Sequence, residues 1–576
     1  MKSKTSSFKT IFFKDITRFA PVWVLYLIGG LLIMGSVMVN NLSDSQYHAR
    51  GLAESIGGMS ILNLLYAPVC VQMLFGDLFH SRLCNALHAL PLRRRDWFFS
   101  HCLVGLYFSL IPNTLIAASA LPFLGSNWPV ALCWLVGMTL HYLFFFGVAV
   151  FSTMCAGNRL GMAAVYAVIN GGAYLAYTFA STVYEPLLYG VNISDGPFLL
   201  LCPVAYMSTH GTELVQMKIV LLDTGYDSIY AYIFEGLGEG WEYLIAVAVI
   251  GLVLCLVALL MYRKRHLERA GDLIAVMPLR PVFAVIFTLC TAMVAAAFGD
   301  LLVDGYFLFM AIGFVVGWFV VQMLLARTVR VFKWKVILGG VLLAVVLVGS
   351  MVLTWLDPLK ITLWVPQEEN VSSVTLSDDS EYNYFDAHNV VINDPQQIRQ
   401  VLQIHEQCLE QRYDEGNGHY GFGWFTVHYQ LKNGTTGTRS YRVWVGSKAG
   451  EMIRMLMSQP QIVLGYEDLD ACRQGVNSIS IDGADTALTG EAAQALVECI
   501  YQDCLEGNMG QNWSYHRNGY DTALLFWLRL YPEKGNGFEV MVFGDAANTV
   551  SWLKENFELW ADENEHEWSD FVDFAK

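Results

Sequence analysis

The chain has 576 residues, 55% hydrophobic and 14% aromatic, with a mean hydropathy of +0.41. It is too apolar for an ordinary soluble protein of this length and reads as a membrane protein. The formal charge of −16 is unevenly placed: 34 acidic and 14 basic residues lie from residue 357 onward, a net of −20, against 17 and 21 before it. That asymmetry predicts a boundary near Asp357, with a membrane part before it and an acidic soluble domain after it.

The first 19 residues carry Lys2, Lys4, Lys9, Lys14 and Arg18. Their apolar run comes too late and is too long for a cleaved signal, so 1–19 is expected to be an amphipathic cytoplasmic segment. The first span, 20–39, is long enough to cross roughly 30 Å of hydrocarbon at about 1.5 Å per residue. The basic residues before it place the N-terminus inside. A polar loop, 40–57, would lie outside, and a second span, 58–78, would return.

Residues 76–100, GDLFHSRLCNALHALPLRRRDWFFS, interrupt this apolar pattern. Phe75, Leu78, Phe79, Leu83 and Leu87 recur at helical spacing, with His80, Arg82 and Asn85 facing elsewhere. Pro91 ends or kinks that helix. Arg93, Arg94 and Arg95 follow, and Asp96, Trp97 and Phe98 open the next span. On the residues alone, this is a basic loop that fixes topology.

Spans three (102–124) and four (129–155) form a hairpin around 125–128, and a tight turn with Arg159 leads to span five (161–180). The loop 181–239 contains an apolar run, 197–207, too short to cross as a helix and therefore re-entrant or interfacial. Span six (241–262) ends on Arg263, Lys264 and Arg265. A second basic landmark follows, 261–283, MYRKRHLERAGDLIAVMPLRPVF.

The LP-x-R-R turn of 76–100 and the run Tyr262, Arg263, Arg265, Glu268, Ala270, Gly271 and Asp272 resemble segments after the second and sixth helices of ABC-2 type exporter permeases of Gram-positive bacteria. The resemblance implies a six-helix permease core over 20–265, including a short re-entrant pair before the sixth helix. It also implies an ATPase-coupling region at Arg82, Pro91, Arg93, Arg94, Arg95 and Asp96, and a second cytoplasmic loop with Arg263, Arg265, Glu268, Gly271 and Asp272. The implied partners are an ABC ATPase subunit, which would bind the ATP, and a second permease chain, identical or related. The lipid bilayer surrounds the chain, and nucleic acid is not an expected partner.

Three further spans, 281–298, 306–326 and 336–355, occupy 266–355. Arg327, Arg330, Lys333 and Lys335 place the loop between the last two inside, so 356–576 would be extracytoplasmic. With nine spans, every basic cluster falls inside. The same permeases carry large C-terminal extracytoplasmic domains of unknown function. Here, 371–376 alternates as a strand, and Asp394-Pro395 starts a helix with Ile398, Val401, Leu402, His405 and Leu409 on one face. Residues 425–431 and 440–445 read as a hairpin about Asn433-Gly434, and 451–457 as a helix. The order recurs as a strand (478–481), a helix (489–504), a hairpin (524–530 with 538–542) and a helix (548–556), which suggests a duplicated β-α-β-β-α unit.

The chain has no Gly-x-x-x-x-Gly-Lys-[Ser/Thr] loop, so it cannot hydrolyse ATP as a P-loop protein does. The twelve cysteines form no metal pattern, and pairing among Cys202, Cys408, Cys472, Cys499 and Cys504 cannot be assigned from spacing. His516 and His566 belong to no ligand constellation. Polar residues inside spans are Gln72, Asn113, His141, Asn170 and Gln322; of these Asn113, His141 and Asn170 are the candidate translocation path, against the alternative of plain interhelical hydrogen bonds.

The expectation is a polytopic α-helical membrane protein of about nine transmembrane helices, a six-helix ABC-2 type core plus three, with a C-terminal soluble α+β domain. It would serve at the cell membrane as the permease subunit of an ABC exporter for a hydrophobic or amphipathic substrate, without an enzymatic site of its own. A membrane receptor or sensor with an extracytoplasmic ligand-binding domain, or a secondary transporter, is the alternative. No Asp, Glu, Lys or Arg lies in the interior of spans one to six, which argues against the secondary transporter.

Overall fold

A computed structural model describes residues 12–40, 48–80, 94–193, 196–223, 228–264, 273, 279–303, 305–377, 390–411, 422–444, 447–457, 459–460, 462, 469–481, 487–508, 524–532, 538–544 and 546–556. Among these, nine helices are long and apolar enough to cross a membrane. The first five are α1 (Ala20–Asn40), α2 (His48–Leu74), α3 (Arg94–Leu124), α4 (Pro129–Cys155) and α5 (Arg159–Val183). Two short helices follow, α6 (Gly196–Leu200) and α7 (Pro203–His210), then a hairpin of β1 (Val215–Asp223) and β2 (Ser228–Leu237). The last four long helices are α8 (Trp241–Lys264), α9 (Leu279–Val303), α10 (Tyr306–Ala326) and α11 (Trp334–Leu356). The chain is thus a multi-pass helical membrane protein whose C-terminal region carries β-sheets.

Two expected boundaries are corrected. Residues 48–57 are not a polar loop but the first turns of α2. Arg50 and Glu54 pair at 2.7 Å one turn apart on the exposed face, while Leu52, Ala53 and Ile56 are buried, so the charged pair marks the outer face of an amphipathic turn. At its other end α2 stops at Leu74, and Gly76–Phe79 is a single 3₁₀ turn followed by extended His80. Phe75, Leu78 and Phe79 are nonetheless buried, as their spacing requires. Leu83, Leu87 and Pro91 lie outside the described residues.

The helical bundle is built on close backbone approaches. A Cβ on Gly147 of α4 would collide with the Gly251 carbonyl of α8, and one on Gly251 would collide with the backbone of Leu143 and Phe144, so these helices touch main chain to main chain. Gly313 and Gly317 of α10 likewise receive Thr291 and Ala292 of α9. The break at Cys202 and Pro203 splits the apolar run into α6 and α7, each too short to cross.

The C-terminal domain contains two four-stranded antiparallel sheets. The first, in the order β4-β3-β5-β6, uses β3 (Val371–Ser377), β4 (Val390–Ile392), β5 (Phe422–Leu431) and β6 (Thr436–Trp444). Helices α12 (Pro395–Glu410) and α13 (Lys448–Met457) bury Val401, Ile404 and Ile453 in a core with Val374, Val427, Tyr429 and Tyr441. Asp394 caps α12 by accepting Gln396 N–H at 3.3 Å, and Gly434 turns the β5–β6 hairpin at φ +84°.

After α14 (Leu469–Gln474), the second sheet runs β8-β7-β9-β10, from β7 (Val476–Ile481), β8 (Leu488–Thr489), β9 (Leu524–Pro532) and β10 (Phe538–Phe543). Helices α15 (Gly490–Glu506) and α16 (Ala547–Glu555) complete it. The two sheets share one strand order, each with a short edge strand that alternation cannot reveal at two or three residues. Buried Asp503 of α15 accepts the N–H groups of Asn548 and Thr549 and the Thr549 hydroxyl at 3.1, 2.7 and 2.6 Å, capping α16. Residues 181–193 cluster with this domain rather than with the helical bundle.

Candidate functional site

The two basic landmarks, far apart in sequence, meet at one end of the bundle. Arg94 opens α3, and its guanidinium lies 3.4 Å from the Arg263 carbonyl and over the Tyr262 ring at 5.9 Å, both at the end of α8. Beneath it, buried Trp97 and Phe98 stack on Tyr262 at 5.6 and 6.0 Å, and Phe75 from the end of α2 meets Trp97 edge-on at 5.4 Å. An aromatic floor therefore locks the ends of α2, α3 and α8 together, leaving Arg95, Asp96 and Arg263 exposed. Arg95 lies over Phe99, and Asp96 sits in the first turn of α3, where the helix dipole favours an acid. Arg82, Pro91, Arg93, Arg265, Glu268, Gly271 and Asp272 lie outside the described residues.

Beside this floor, a short helix over residues 12–18 brings in Asp15, whose Oδ2 lies 3.7 Å from His101 Nε2 and makes no hydrogen bond. His101 Nδ1 is 3.0 Å from the Trp97 carbonyl. Burial pushes the Asp15 carboxyl up to about 6, opposed by Lys14 and Arg18 and aided by Asp77. Sequence reasoning passed over Asp15 because it sits in a segment read as amphipathic surface.

Of the three path candidates, Asn113 and His141 each make buried polar contacts between elements, in two separate clusters. The Tyr26 hydroxyl of α1 is shared between Asn63 Oδ1 of α2 at 2.7 Å and Asn113 Oδ1 of α3 at 2.8 Å. Asn113 Nδ2 donates to Ser109 Oγ, and Asn63 Nδ2 to the Met138 carbonyl of α4. Four helices thus converge on one amide cluster, which satisfies polar groups that hydrocarbon would otherwise strand. His141 Nε2 lies 3.3 Å from both Ser60 Oγ of α2 and the Pro203 carbonyl of α7, so it ties the short helical pair to the bundle; its Nδ1 makes no hydrogen bond. Tyr26, Ser60 and Asn63 were missed, although Asn63 carries the signal that singled out Asn113, a polar residue within an apolar span.

Asn170 stands elsewhere. On α5 it is buried, its Nδ2 donates to the Tyr166 carbonyl at 2.8 Å, and its Oδ1 makes no hydrogen bond. A Cβ on Gly171 or Gly172 beside it would meet open space. Neither family models nor curated proteins nor solved structures match this chain. Among the described residues no group of three His, Cys, Asp or Glu is placed to hold a metal ion.

Proposed function

We propose that the chain is the membrane-spanning permease subunit of an ATP-driven ABC exporter, working with a separate ATPase and a second permease chain. The observation that carries this reading is the contact of Arg94 with Tyr262 and the Arg263 carbonyl, which joins two basic segments 169 residues apart into one exposed cationic surface on a rigid aromatic base. A motor docking there would move α3 and α8 together. The basic residues Lys14 and Arg18 before the first span, and those at this surface, favour the cytoplasmic side for it. By the same count of nine crossings, the C-terminal domain is extracytoplasmic at the cell membrane.

The motor must be a partner because the sequence lacks a phosphate-binding loop. In this reading Asn113 and His141 are clamps, since their hydrogen bonds are made within the bundle. Asn170, whose buried Oδ1 makes no hydrogen bond, becomes the contact for a hydrophobic or amphipathic molecule when α5 moves. The C-terminal domain shields or captures that molecule, and its two sheets of like strand order derive from a duplicated unit.

The test is vanadate-sensitive ATP hydrolysis by the ABC ATPase encoded nearest this gene, reconstituted with the permease in nanodiscs. Wild type changes the ATPase rate, and Arg94→Glu/Arg95→Glu returns it to that of the ATPase alone. A wild type that leaves every candidate ATPase unaffected would remove the motor. A receptor is then the reading to pursue, favoured by the strap between α5 and the C-terminal domain described next.

A further inference from the structure

The segment after α5 leaves the helical bundle and is built into the first sheet of the C-terminal domain. At its start, the Tyr184 hydroxyl lies 2.7 Å from Ser350 Oγ near the end of α11. Glu185 Oε2 accepts the Ile193 N–H at 3.4 Å, folding the segment back on itself. Between these points, the Tyr189 hydroxyl donates to the Cys408 carbonyl of α12 at 3.3 Å, and its ring lies 5.5 Å from that of Tyr441 on β6. Gly190 accepts the Ser440 N–H at 3.1 Å, and Val191 bridges Arg439 in antiparallel register. The segment, a 3₁₀ turn at Glu185–Leu187 followed by a single bridge at Val191, therefore docks on the β6 edge through one main-chain hydrogen bond and the Tyr189 side chain.

The seat for this strap is specific. Gly190 has φ +73° and lies so close to the Tyr441 ring that a Cβ would overlap it. The ring is held from behind, where its hydroxyl is 2.6 Å from His405 Nε2 while His405 Nδ1 is 2.9 Å from the Tyr429 hydroxyl. Arg439, also buried, lies over Trp364 at 4.8 Å and donates to the Ile361 carbonyl at 2.9 Å. Tyr441, His405 and Arg439 fix the edge that the strap occupies.

We propose that residues 184–193 are a coupling strap that makes the first sheet of the C-terminal domain and the far end of α5 one cooperative unit. Any event that shifts β6 or α12 is then felt at α5, along which Gly171 and Gly172 leave a face without packing; by reciprocity, movement of α5 is felt in the sheet. The strap is covalently continuous with α5, so the linkage needs no further contact. This proposal does not depend on an ATPase and survives or fails apart from the exporter reading.

The test is hydrogen exchange by mass spectrometry on the full chain in nanodiscs. In wild type, the hydrogen-bonded amides of Leu187, Leu188, Val191 and Ile193 exchange more slowly than those of a free loop. In Gly190→Ala, exchange rises about tenfold together in 184–193, in 422–444 and in 174–183, while 476–506 of the second sheet keeps its rate and shows that the chain is folded. If Gly190→Ala does not insert, Tyr189→Phe, which removes only the hydroxyl on Cys408, carries the test with a rise of about two- to fivefold in the same three segments. The proposal is overturned if 184–193 exchanges as a free loop in wild type, or if either variant loosens 184–193 while 422–444 and 174–183 keep their wild-type rates.

Discussion

Lowering the pH should loosen the first sheet of the C-terminal domain through one residue, His405. The ring is fully buried, with each nitrogen against a tyrosine hydroxyl. Burial, with the Arg439 guanidinium adding to it, holds His405 down from its ordinary 6.5 to about 4. Between those values the unfolded chain binds a proton that the folded one refuses. Stability from this site is therefore complete above pH 6.5 and is lost as pH falls towards 4. At about 1.4 kcal/mol per pH unit, the interval is worth roughly 3 kcal/mol. The assay is native-state hydrogen exchange of 395–410 and 422–431 in the full chain at pH 7.0, 5.5 and 4.5, corrected for the intrinsic rate. His405→Gln keeps a side chain that can hydrogen-bond and cannot titrate. Wild type should lose protection with falling pH and the variant should not. Equal slopes in the two proteins would refute the assignment to His405, and no slope in either would refute the buried neutral imidazole.

Three further outcomes follow from the packing. Gly251→Val forces a side chain against the backbone of Leu143 and Phe144, so it should lower stability by about 1–3 kcal/mol, read as a lower melting temperature in detergent. Tyr26→Phe removes the hydroxyl shared by Asn63 and Asn113 and should cost about 0.6–1.7 kcal/mol by the same measurement. If Asn113 is a clamp, Asn113→Ala in the Tyr26→Phe background adds little to that loss. Asp503→Ala leaves the first N–H groups of α16 without their acceptor and should destabilise the second sheet by about 2–3 kcal/mol, seen as faster exchange in 476–506 and 547–555 with 422–444 unchanged.

The membrane helices were legible because an apolar run of about 20 residues has few other uses. The predicted 306–326 coincides with α10, and 129–155 with α4, where Pro129 marks the first position. Boundaries failed where polarity was taken for a loop, as at 48–57, whose charges pair along one helix face. The hairpin β1–β2 was not foreseen. His405 falls on the same helix face as Ile398, Val401 and Leu402, which agrees with its burial, but the two tyrosine hydroxyls that hold it come from other strands and leave no trace in that spacing.

The site was legible in part. Polarity within an apolar run found Asn113, His141 and Asn170, yet only the packing of the helices separates the satisfied amide of Asn113 from the Oδ1 of Asn170, which makes no hydrogen bond. The meeting of Arg94 with Arg263, and of Gly190 with Tyr441, joins residues whose separation no local pattern encodes. Such long-range pairings are fixed by the packing of whole helices and sheets.

The most direct test of the permease account is co-purification. The chain is expressed with the ATPase encoded nearest its gene, as wild type and as Arg93→Glu/Arg94→Glu/Arg95→Glu, with membrane insertion confirmed for both. The account predicts that the ATPase remains bound to wild type through purification and is lost from the variant. If neither that ATPase nor any other nucleotide-binding subunit stays with the wild-type chain, the account is contradicted.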